Sequence, residues 1–341
     1  MTSKAKTAVR SLLSLALAAV FLYVAFRGIA LSDLWQSLRE VRYLWILLLI
    51  PIGLLSHYVR AYRWKFLLGH VKQDISTANL FSAVMIGYMV NNVLPRVGEF
   101  VRPYVAGKLE GISKSTALGT VVIERIIDMM TFFILVFLVL FLYPETLAAW
   151  ENAESLRPLF LAGSVVSFLL FVLLFLKSES IFRLVRHLKP IIPERYAGKL
   201  DSMVDSFVSG FRIASVRNKL PQVFGLSFVI WFLYGLGLYV PFFAFEPIAK
   251  LDLGFNASMV LLTVTSIAFV LPAPGAFGTY HSFLKFSLVR LYGIDDVTAL
   301  SYSLVTHEVN YILVMVVGVF YFLKDHLKVS EVRIEAGKSG A

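Results

Sequence analysis

Cysteine is absent from the 341-residue chain, and charge is scarce. Without cysteine the protein has no disulfide, no thiolate nucleophile and no cysteine-ligated metal. Charged residues make up 16% of the sequence and hydrophobic residues 58%, whereas soluble domains contain about 25% charged and about 45–50% apolar residues. No Ser-His-Asp triad, phosphate-binding loop or dinucleotide motif is evident in the sequence, so we expect no cofactor and no enzymatic activity. The composition is typical of an integral membrane protein.

Hydrophobic blocks recur along the chain, and a bilayer crossing needs about 20 apolar residues. The first block follows basic residues, as in a signal peptide, but no small-residue cleavage site follows it. We therefore interpret it as a retained helix. Two shorter apolar segments, 78–94 and 256–271, end abruptly in proline and glycine. The predicted full spans are about 9–29, 43–66, 115–143, 156–176, 220–245 and 295–323.

Basic residues are distributed unevenly between the loops. The net charge is +10, but in a membrane protein basic residues mark cytoplasmic loops and anionic headgroups, so no nucleic-acid partner is expected. Residues 177–219 contain nine Lys or Arg and four acidic residues, whereas 144–155 contains three Glu and no Lys or Arg. The positive-inside rule therefore places 177–219 and both termini in the cytoplasm, with 144–155 and 246–254 outside.

The same rule decides whether the two shorter apolar segments cross the membrane fully or re-enter it as hairpins. If 78–94 crossed the membrane fully, the next spans would be inverted and 177–219 would face outward. Re-entrant hairpins at 78–94 and 256–292 let every loop obey the rule, and their irregular backbone implies a central cavity. The predicted fold class is an all-α integral membrane protein with six transmembrane helices and two re-entrant helical hairpins. The predicted domain is a single membrane unit, 1–341, with half one at about 43–143, half two at about 220–323 and a cytoplasmic amphipathic insert at 177–219.

The two halves align by eye. Val-Leu-Pro-Arg-Val-Gly-Glu-Phe at 93–100 matches Val-Leu-Pro-Ala-Pro-Gly-Ala-Phe at 270–277, and Thr-Ala-Leu occurs at both 116–118 and 298–300. Because the hairpins enter from opposite sides, the halves are predicted to form an inverted repeat, an arrangement shared by many secondary transporters. The alternative is chance similarity between apolar segments.

Within the insert 177–219, apolar residues from Tyr196 to Phe211 follow helical spacing of three and four residues. Charged residues such as Lys199 and Asp205 lie off this stripe. The pattern predicts either a surface helix packed on the rest of the protein or an interfacial helix that lies on anionic lipid.

The tip of the first hairpin carries three charged residues at membrane depth, Arg96, Glu99 and Arg102. Each costs about 2.5–3.5 kcal/mol on insertion scales unless a partner, water or a headgroup compensates it. Pro95 stops the helix and Gly98 permits a tight turn, so freed backbone groups and planar guanidiniums are available for a phosphate. The alternative is that these residues face cytoplasmic water. The candidate binding residues of this tip are Asn91, Asn92, Pro95, Arg96, Gly98, Glu99 and Arg102.

Three more charged residues, Glu124, Arg125 and Asp128, lie inside the next span. Glu124 and Asp128 are four residues apart and share a helix face, and Arg125 and Asp128 are three apart and can pair. We expect them to point into the bundle, either as an ion-pair network that locks helix to hairpin or as a substrate clamp or proton relay. An aromatic and basic group at the end of the preceding span is interpreted as an interface anchor. Its members are Tyr58, Arg60, Tyr62, Arg63, Trp64 and Lys65.

The second half offers a different set of polar residues. A histidine near a carboxylate inside a membrane can titrate near neutral pH, but a satisfied core histidine fits His281 and His307 equally. A metal site at these histidines and Glu308 is the weaker alternative because no ligand spacing supports it, and no metal is predicted. The candidate binding residues of this half are Pro272, Gly275, His281, His307, Glu308 and Asn310.

Three motifs have a recognisable pattern: Asn-Asn-Val-Leu-Pro-Arg-x-Gly-Glu-x-x-Arg at 91–102, Glu-Arg-x-x-Asp at 124–128 and Pro-x-Pro-Gly-x-x-Gly at 272–278. With them the chain resembles the lysylphosphatidylglycerol synthase transmembrane-region family over about 10–325. This flippase-like domain occurs fused to aminoacyl-phospholipid synthases and also alone. The resemblance implies a bacterial or archaeal inner-membrane protein that translocates a lipid. No synthase domain is expected after the last span, so aminoacyl transfer is not expected of this chain.

The leading hypothesis is a lipid flippase-like transporter that moves an anionic lipid, phospho- or polyprenyl-linked, across the inner membrane. The candidate residues of both halves would bind the headgroup. The expected partners are that lipid and a separate lipid-modifying enzyme. The alternatives are a membrane-embedded transferase that acts on lipid-linked substrates, and a regulatory scaffold of envelope lipid machinery.

Overall fold

Every regular element is helical in the computed structural model, which describes residues 3–143, 153–176 and 217–327. The prediction of an all-α protein is therefore confirmed for this part of the chain. The α-helices are α1 (Ser3–Phe26), α2 (Leu31–Arg39), α3 (Tyr43–Leu47), α4 (Leu49–Leu68), α5 (Thr77–Val93), α6 (Gly98–Glu110), α7 (Lys114–Leu142), α8 (Ala153–Leu176), α9 (Leu220–Tyr239), α10 (Glu246–Ala249), α11 (Phe255–Ala268), α12 (Thr279–Tyr292) and α13 (Asp296–Lys324). Short 3-10 turns occupy Arg217–Lys219, Val240–Ala244 and Pro274–Ala276.

Four helical stretches are long and apolar enough to cross a membrane. They are Tyr43–Leu68, which joins α3 and α4, Lys114–Leu142, Leu220–Ala244 and Asp296–Lys324. Each has between 25 and 29 residues, and the hydrocarbon core of a bilayer requires about 20. They correspond to four of the six predicted spans, and α8 lies at a fifth, so the protein is a multi-pass helical membrane protein.

The first predicted span differs from the expected straight helix over 9–29. Helix α1 ends at Phe26, and the chain turns through 80° into α2. Gly28 takes the left-handed conformation that this turn requires, with φ 80°. The bent pair α1 and α2 adds one further crossing only if it is a single broken span.

The first predicted re-entrant segment is a helical hairpin formed by α5 and α6. Its break falls at 94–97, where Pro95 stops the helix and Arg96 adopts φ 66°. The two arms pack very closely, because a Cβ added to Gly98 would overlap the Gly87 carbonyl oxygen. Glycine at these two positions lets the arms of the hairpin touch through their backbones.

The second hairpin is formed by α11 and α12 and has a longer break, 269–278. Three residues in the break adopt left-handed backbone conformations, Gly275 (φ 54°), Ala276 (φ 58°) and Gly278 (φ 77°). Gly278 also lies so close to the backbone of α1 that a Cβ would not fit without a shift. Helix α1 therefore braces the second hairpin at its break.

The order of elements is the same in both halves. A long apolar helix is followed by a helical hairpin and then by a helix of 29 residues, α7 in the first half and α13 in the second. The halves are interleaved, since α4 packs on α9 and α5 packs on α13. This repeated order agrees with the predicted repeat, while the insertion of the hairpins from opposite sides stays a prediction.

The two larger of three buried apolar clusters among the described residues contribute most of the core. One surrounds Trp64 and lies mainly among α4 to α7, and the other surrounds Tyr302 and joins α11 to α13 to residues of α4, α7 and α9. Large apolar side chains cover the outside of α7, α8 and α13, among them Leu138, Leu169 and Phe320. Extensive exposed apolar surface marks a contact with lipid or protein, as a membrane protein requires.

Several predictions fall outside the described residues. The loop 144–155, predicted to be external, is described only from residue 153, and the predicted amphipathic insert 177–219 only at its last three residues. The rest of both segments, and the ends of the chain, lie outside the described residues.

Candidate functional site

Five charged side chains meet inside the first half and are called the buried charge cluster here: Arg60, Arg63, Arg102, Glu124 and Asp128. Each side chain is at most 8% exposed. Arg102 donates to both oxygens of Glu124, at 2.9 Å to Oε1 and 2.8 Å to Oε2. Arg60 Nη1 bridges the two carboxylates, 2.7 Å from Glu124 Oε1 and 2.9 Å from Asp128 Oδ2. Arg63 Nη1 donates to Asp128 Oδ1 at 2.7 Å.

Helical spacing explains why these side chains converge. Arg60 and Arg63 are three residues apart on α4, and Glu124 and Asp128 are four apart on α7, so each pair shares one helix face. Arg102 reaches the carboxylates from α6, the return arm of the first hairpin. The predicted burial of Glu124 and Asp128 inside the bundle is confirmed.

Hydrogen bonds extend the cluster to α9. Arg60 Nη2 donates to the Tyr234 hydroxyl at 3.0 Å, and Arg63 Nη1 donates to Ser227 Oγ at 2.6 Å. Both acceptors belong to the first long helix of the second half. The cluster therefore fastens α4, α6, α7 and α9 to one another, across the boundary between the two halves.

The predicted interface anchor at the end of the second span is wrong for three of its residues. Arg60, Arg63 and Trp64 are buried, and the Trp64 ring centre lies 3.9 Å from a guanidinium carbon of the cluster. Tyr58 and Tyr62 are exposed, as an anchor requires. The physical reason is helical geometry, which turns the basic and aromatic residues of one segment toward different faces. The sequence signal that could have predicted the burial of Arg60 and Arg63 is the acidic pair in the next span, because buried carboxylates need basic partners.

The cluster holds three guanidiniums and two carboxylates, an excess of one positive charge. The Nε atoms of its three arginines donate to no acceptor among the described residues. Breaking a buried ion pair by removing one partner costs about 3–5 kcal/mol, because the remaining charge is left uncompensated. The arrangement is a positively charged framework that includes Arg102 of the first hairpin.

Arg125 and Glu99 form a more open ion pair at the edge of this framework. Arg125 Nη2 lies 2.5 Å from Glu99 Oε1 and its Nε lies 3.1 Å from Oε2, with the side chains 36% and 27% exposed. The predicted contact between Arg125 and Asp128 is present at 3.6 Å. Asn91 completes this edge, accepting the Gly98 N–H at 2.7 Å and donating to Glu99 at 3.4 Å. This pair is therefore more exposed than the buried charge cluster.

The tips of the two hairpins meet. Arg96 is exposed, and its Nη2 donates to the Val270 carbonyl at 3.0 Å. A Cβ on Gly275 would lie 3.3 Å from the Asn92 carbonyl oxygen, so the second break also lies against the backbone at the end of α5. The side-chain nitrogen of Asn92 is buried and has no acceptor among the described residues. The irregular backbone of both halves is thus brought to one place.

Three titratable side chains of the second half converge as well and are called the histidine cluster here: His281 on α12, and His307 and Glu308 on α13. Their possible ligand atoms all lie within 4.8 Å of one another. His307 Nδ1 is 3.1 Å from Glu308 Oε1, and His281 Nε2 is 3.5 Å from the same oxygen. His307 Nε2 lies 2.8 Å from the Gly275 carbonyl oxygen. Both histidines are buried, whereas the Glu308 side chain is 33% exposed.

Two candidate residues of the second half lie apart from the histidine cluster. Pro272 is exposed at the break. Asn310 is exposed on α13. Its side chain lies against Gly53 of α4, where an added Cβ would be 3.5 Å from Asn310 Oδ1. The binding of a substrate by these residues, and by those of the first half, stays a prediction.

Comparison with protein families gives one match that spans most of the chain. The sequence model described as "Lysylphosphatidylglycerol synthase TM region" matches residues 11–318. No solved structure matches the chain.

Among curated proteins, the chain is similar to archaeal membrane proteins. A UPF0104 membrane protein of Methanothermobacter thermautotrophicus is 23% identical over 303 residues, which are 84% of this chain and 87% of that protein. Another, of Pyrococcus horikoshii, is 21% identical over 329 residues, 90% of this chain and 94% of that protein. A third, of Methanocaldococcus jannaschii, is 29% identical over 122 residues, 35% of this chain and 36% of that protein. These names describe membrane proteins and contain no enzymatic term.

Proposed function

Since the chain belongs to the family of the lysylphosphatidylglycerol synthase TM region, we propose that it is a flippase-like transporter of an anionic lipid. The lipid carries a phosphate, either on a phospholipid or on a polyprenyl carrier. Its headgroup passes the junction of the two hairpins while its tails remain in the bilayer. The observation that carries the proposal is the contact of the hairpin tips through Arg96 and Val270, beside the half-exposed pair of Arg125 and Glu99.

Arg125 is the group best placed to bind the headgroup. A guanidinium presents a planar fork that matches phosphate oxygens, and Glu99 now occupies the fork of Arg125. A phosphate competes with Glu99 for the same donors, and Glu99 is exposed enough to turn toward water. A headgroup alone in hydrocarbon has a large desolvation cost, which an arginine in a hydrated junction lowers. Arg96 is the second arginine at this junction.

Arg102, unlike Arg125 and Arg96, does not bind the headgroup in this proposal. Both of its terminal nitrogens are engaged by Glu124, and its side chain is 4% exposed. We therefore assign it, with Arg60 and Arg63, to the framework that positions the first hairpin. The excess positive charge of this framework favours an anion at the adjacent tip.

The proposed topology places the protein in the cytoplasmic membrane with both termini and 177–219 on the cytoplasmic side. It has six crossings and two re-entrant hairpins that enter from opposite sides, as an inverted repeat. The asymmetry of loop charge and the repeated order of helices support this arrangement. The partners in this proposal are the anionic lipid and a separate lipid-modifying enzyme.

The experiment that tests the function is reconstitution of the purified protein into liposomes that contain one fluorescent lipid at a time. The panel includes anionic and zwitterionic phospholipids and a polyprenyl phosphate, and dithionite in the outer medium reduces the accessible fluorophores. We expect the protein to accelerate the movement of at least one anionic lipid more than that of its zwitterionic counterpart. If the folded protein accelerates no lipid above protein-free liposomes, the proposal is wrong.

A further inference from the structure

The hydrogen-bond partners of His281 indicate which of its ring nitrogens carries the proton. The backbone N–H of Gly278 points at His281 Nδ1 at 3.2 Å, so Nδ1 is an acceptor. A neutral imidazole has one donor and one acceptor nitrogen, and the proton is therefore on Nε2. This nitrogen is buried, and Glu308 Oε1 lies 3.5 Å from it.

His307 faces an acceptor on each side. Its Nε2 lies 2.8 Å from the Gly275 carbonyl oxygen and its Nδ1 lies 3.1 Å from Glu308 Oε1. A carbonyl and an ionised carboxylate only accept hydrogen bonds, so a neutral His307 leaves two lone pairs opposed in one of these contacts. Both contacts are satisfied when one extra proton is present, on His307 as an imidazolium or on Glu308 as a carboxylic acid.

The surroundings of the cluster contribute little other charge. Tyr280 and Tyr311 are the other titratable groups against it, and tyrosine ordinarily titrates near about pH 10. Among the described residues, no lysine or arginine forms an ion pair with Glu308. The groups of helices α1 and α5 that lie nearest to Gly278 and Gly275 at the break do not titrate. These are Ala18, Phe21, Leu22 and the backbone of Asn92.

A metal ion fits this pattern poorly, although two histidines and a glutamate are a common set of zinc ligands. A metal-bound histidine ordinarily carries its proton on the nitrogen that faces away from the metal, and donates it to an acceptor. Binding through His281 Nε2 would place that proton on Nδ1, where the Gly278 N–H already points. Two donors would then face each other, so the arrangement favours a proton over a metal.

We propose that His281, His307 and Glu308 hold one exchangeable proton that couples lipid movement to the proton gradient, an inference that rests on the proposed function. The proton enters at the half-exposed carboxylate of Glu308. It is transferred from the Glu308 carboxyl to His307 Nδ1, which leaves the ionised carboxylate and an imidazolium. In this state His307 holds the Gly275 carbonyl through Nε2.

Loss of the proton releases the second hairpin. Without it, the lone pair of His307 Nδ1 opposes the Glu308 carboxylate. Moving the ring proton from Nε2 to Nδ1 restores this contact and gives up the hydrogen bond to the Gly275 carbonyl. The Gly275 backbone also contacts the first hairpin at Asn92. Proton release therefore loosens the junction of the tips, and proton binding closes it.

The transport arm of the test uses liposomes in which valinomycin and potassium hold the membrane potential at zero while the internal and external pH are set separately. For one proton per lipid, a gradient of one pH unit is expected to change the steady-state ratio of lipid between the leaflets up to about tenfold. Glu308→Gln and His307→Gln should remove this dependence on the gradient. His326→Asn is the matched control, because His326 is exposed beyond α13 and outside the cluster.

The binding arm detects the proton without transport. The protein is labelled with 15N-histidine, and the ring signal of His307 is assigned by its loss in His307→Gln. We expect the ring 15N signals of His307 to change as the pH of the sample is varied, and this change to be altered in Glu308→Gln but not in His326→Asn. Zinc content is measured in the same samples.

The outcomes separate the two claims. If lipid moves but neither the gradient nor Glu308→Gln alters its movement, proton coupling is overturned and the transporter stands. If no lipid moves, the proposed function and its coupling are both overturned, and the 15N signals alone decide whether the cluster binds a proton. A His307 signal that stays neutral throughout, or one zinc per chain that is lost in Glu308→Gln, overturns proton binding.

Discussion

Arg102 and Glu124 are joined by two hydrogen bonds of 2.9 and 2.8 Å in a place where neither side chain is more than 4% exposed. A bidentate pair fixes orientation as well as distance. The return arm of the first hairpin is therefore held at a defined position against α7. Stability in this half of the bundle depends on ionised groups inside a membrane protein, where an unpaired charge is costly.

Glu124→Gln removes one of the two negative charges that face three buried guanidiniums. We predict that it lowers the free energy of unfolding by about 3–5 kcal/mol. Glu99→Gln, in the half-exposed pair, is the matched control and should cost about 1 kcal/mol or less. Thermal unfolding of both variants in one detergent measures the difference, and equal midpoints would contradict a structural role for the cluster.

Arg125→Ala removes the proposed headgroup donor. We predict at least about a tenfold fall in the rate of lipid movement, because a hydrogen bond to a charged group contributes about 1.5–3 kcal/mol. Arg96→Ala should act in the same direction, and Arg125→Lys should be intermediate because it keeps the charge without the fork. Arg42→Ala is the control, since Arg42 is exposed and pairs with Glu246 at the surface.

Melting temperatures must accompany these transport rates, because Arg125 also compensates Glu99. Variants that unfold at the wild-type temperature and move lipid at the wild-type rate would show that the arginines only lock the helices together.

Gly98→Ala places a methyl group against the Gly87 carbonyl oxygen. We predict destabilisation of about 1–3 kcal/mol or more, because overpacking forces the two arms of the hairpin apart. Gly225→Ala is the matched control, since no atom lies within 4 Å of its added Cβ. That change should be neutral or stabilise α9 by about 0.5–1 kcal/mol. Unfolding midpoints that fall equally in the two variants would contradict close packing of the arms.

Single cysteines test the topology against a clean background, since the chain has no cysteine of its own. Asn152→Cys should react with an impermeant thiol reagent added outside intact cells. Ser202→Cys, in the insert 177–219, should react only after the membrane is opened. Labelling of Asn152→Cys only from the inside would contradict the proposed orientation.

Glu110 gives a prediction about pH. Burial raises the pKa of its carboxyl, but hydrogen bonds from Lys72, Asn79 and the Ser76 N–H outweigh burial and hold the pKa below its ordinary value of 4.5. A lowered folded-state pKa means that the stabilisation is complete above the ordinary value and is lost as pH falls through the folded value. The difference in melting temperature between wild type and Glu110→Gln should therefore be constant from about pH 7 to pH 5 and shrink below that. A difference that persists unchanged at about pH 3 would contradict this assignment.

Local signals in the sequence were sufficient to predict the helical hairpins and the face of α7 that points into the bundle. Proline and glycine interrupt otherwise apolar segments at both breaks, and the spacing of Glu124 and Asp128 places them on one face. The partners of these acids were not predictable in the same way. Arg60 and Arg63 lie on a distant helix at the end of a span, where basic residues are ordinarily interface anchors, and their burial depends on how α4 packs against α7 and α9.

The turn after α1 and the convergence of His281 with His307 could also not be predicted from local sequence patterns. Hydropathy averaged over a span conceals a single glycine such as Gly28, so the break in the first apolar run gave no signal. The two histidines belong to different helices, and only the path of the second hairpin brings their rings to 4.7 Å between centroids. Spacing along the chain carries no information about such a meeting.

Arg96 combines a left-handed backbone, φ 66°, with a hydrogen bond to the opposite hairpin. For a residue other than glycine that conformation costs about 1–2 kcal/mol, and a hydrogen bond contributes a net of about 0.5–1.5 kcal/mol. The two quantities nearly cancel if the backbone relaxes when the tips separate. This hydrogen bond therefore adds little net stability to the joined tips, so a ligand with only a modest preference for separated tips would not have to overcome it.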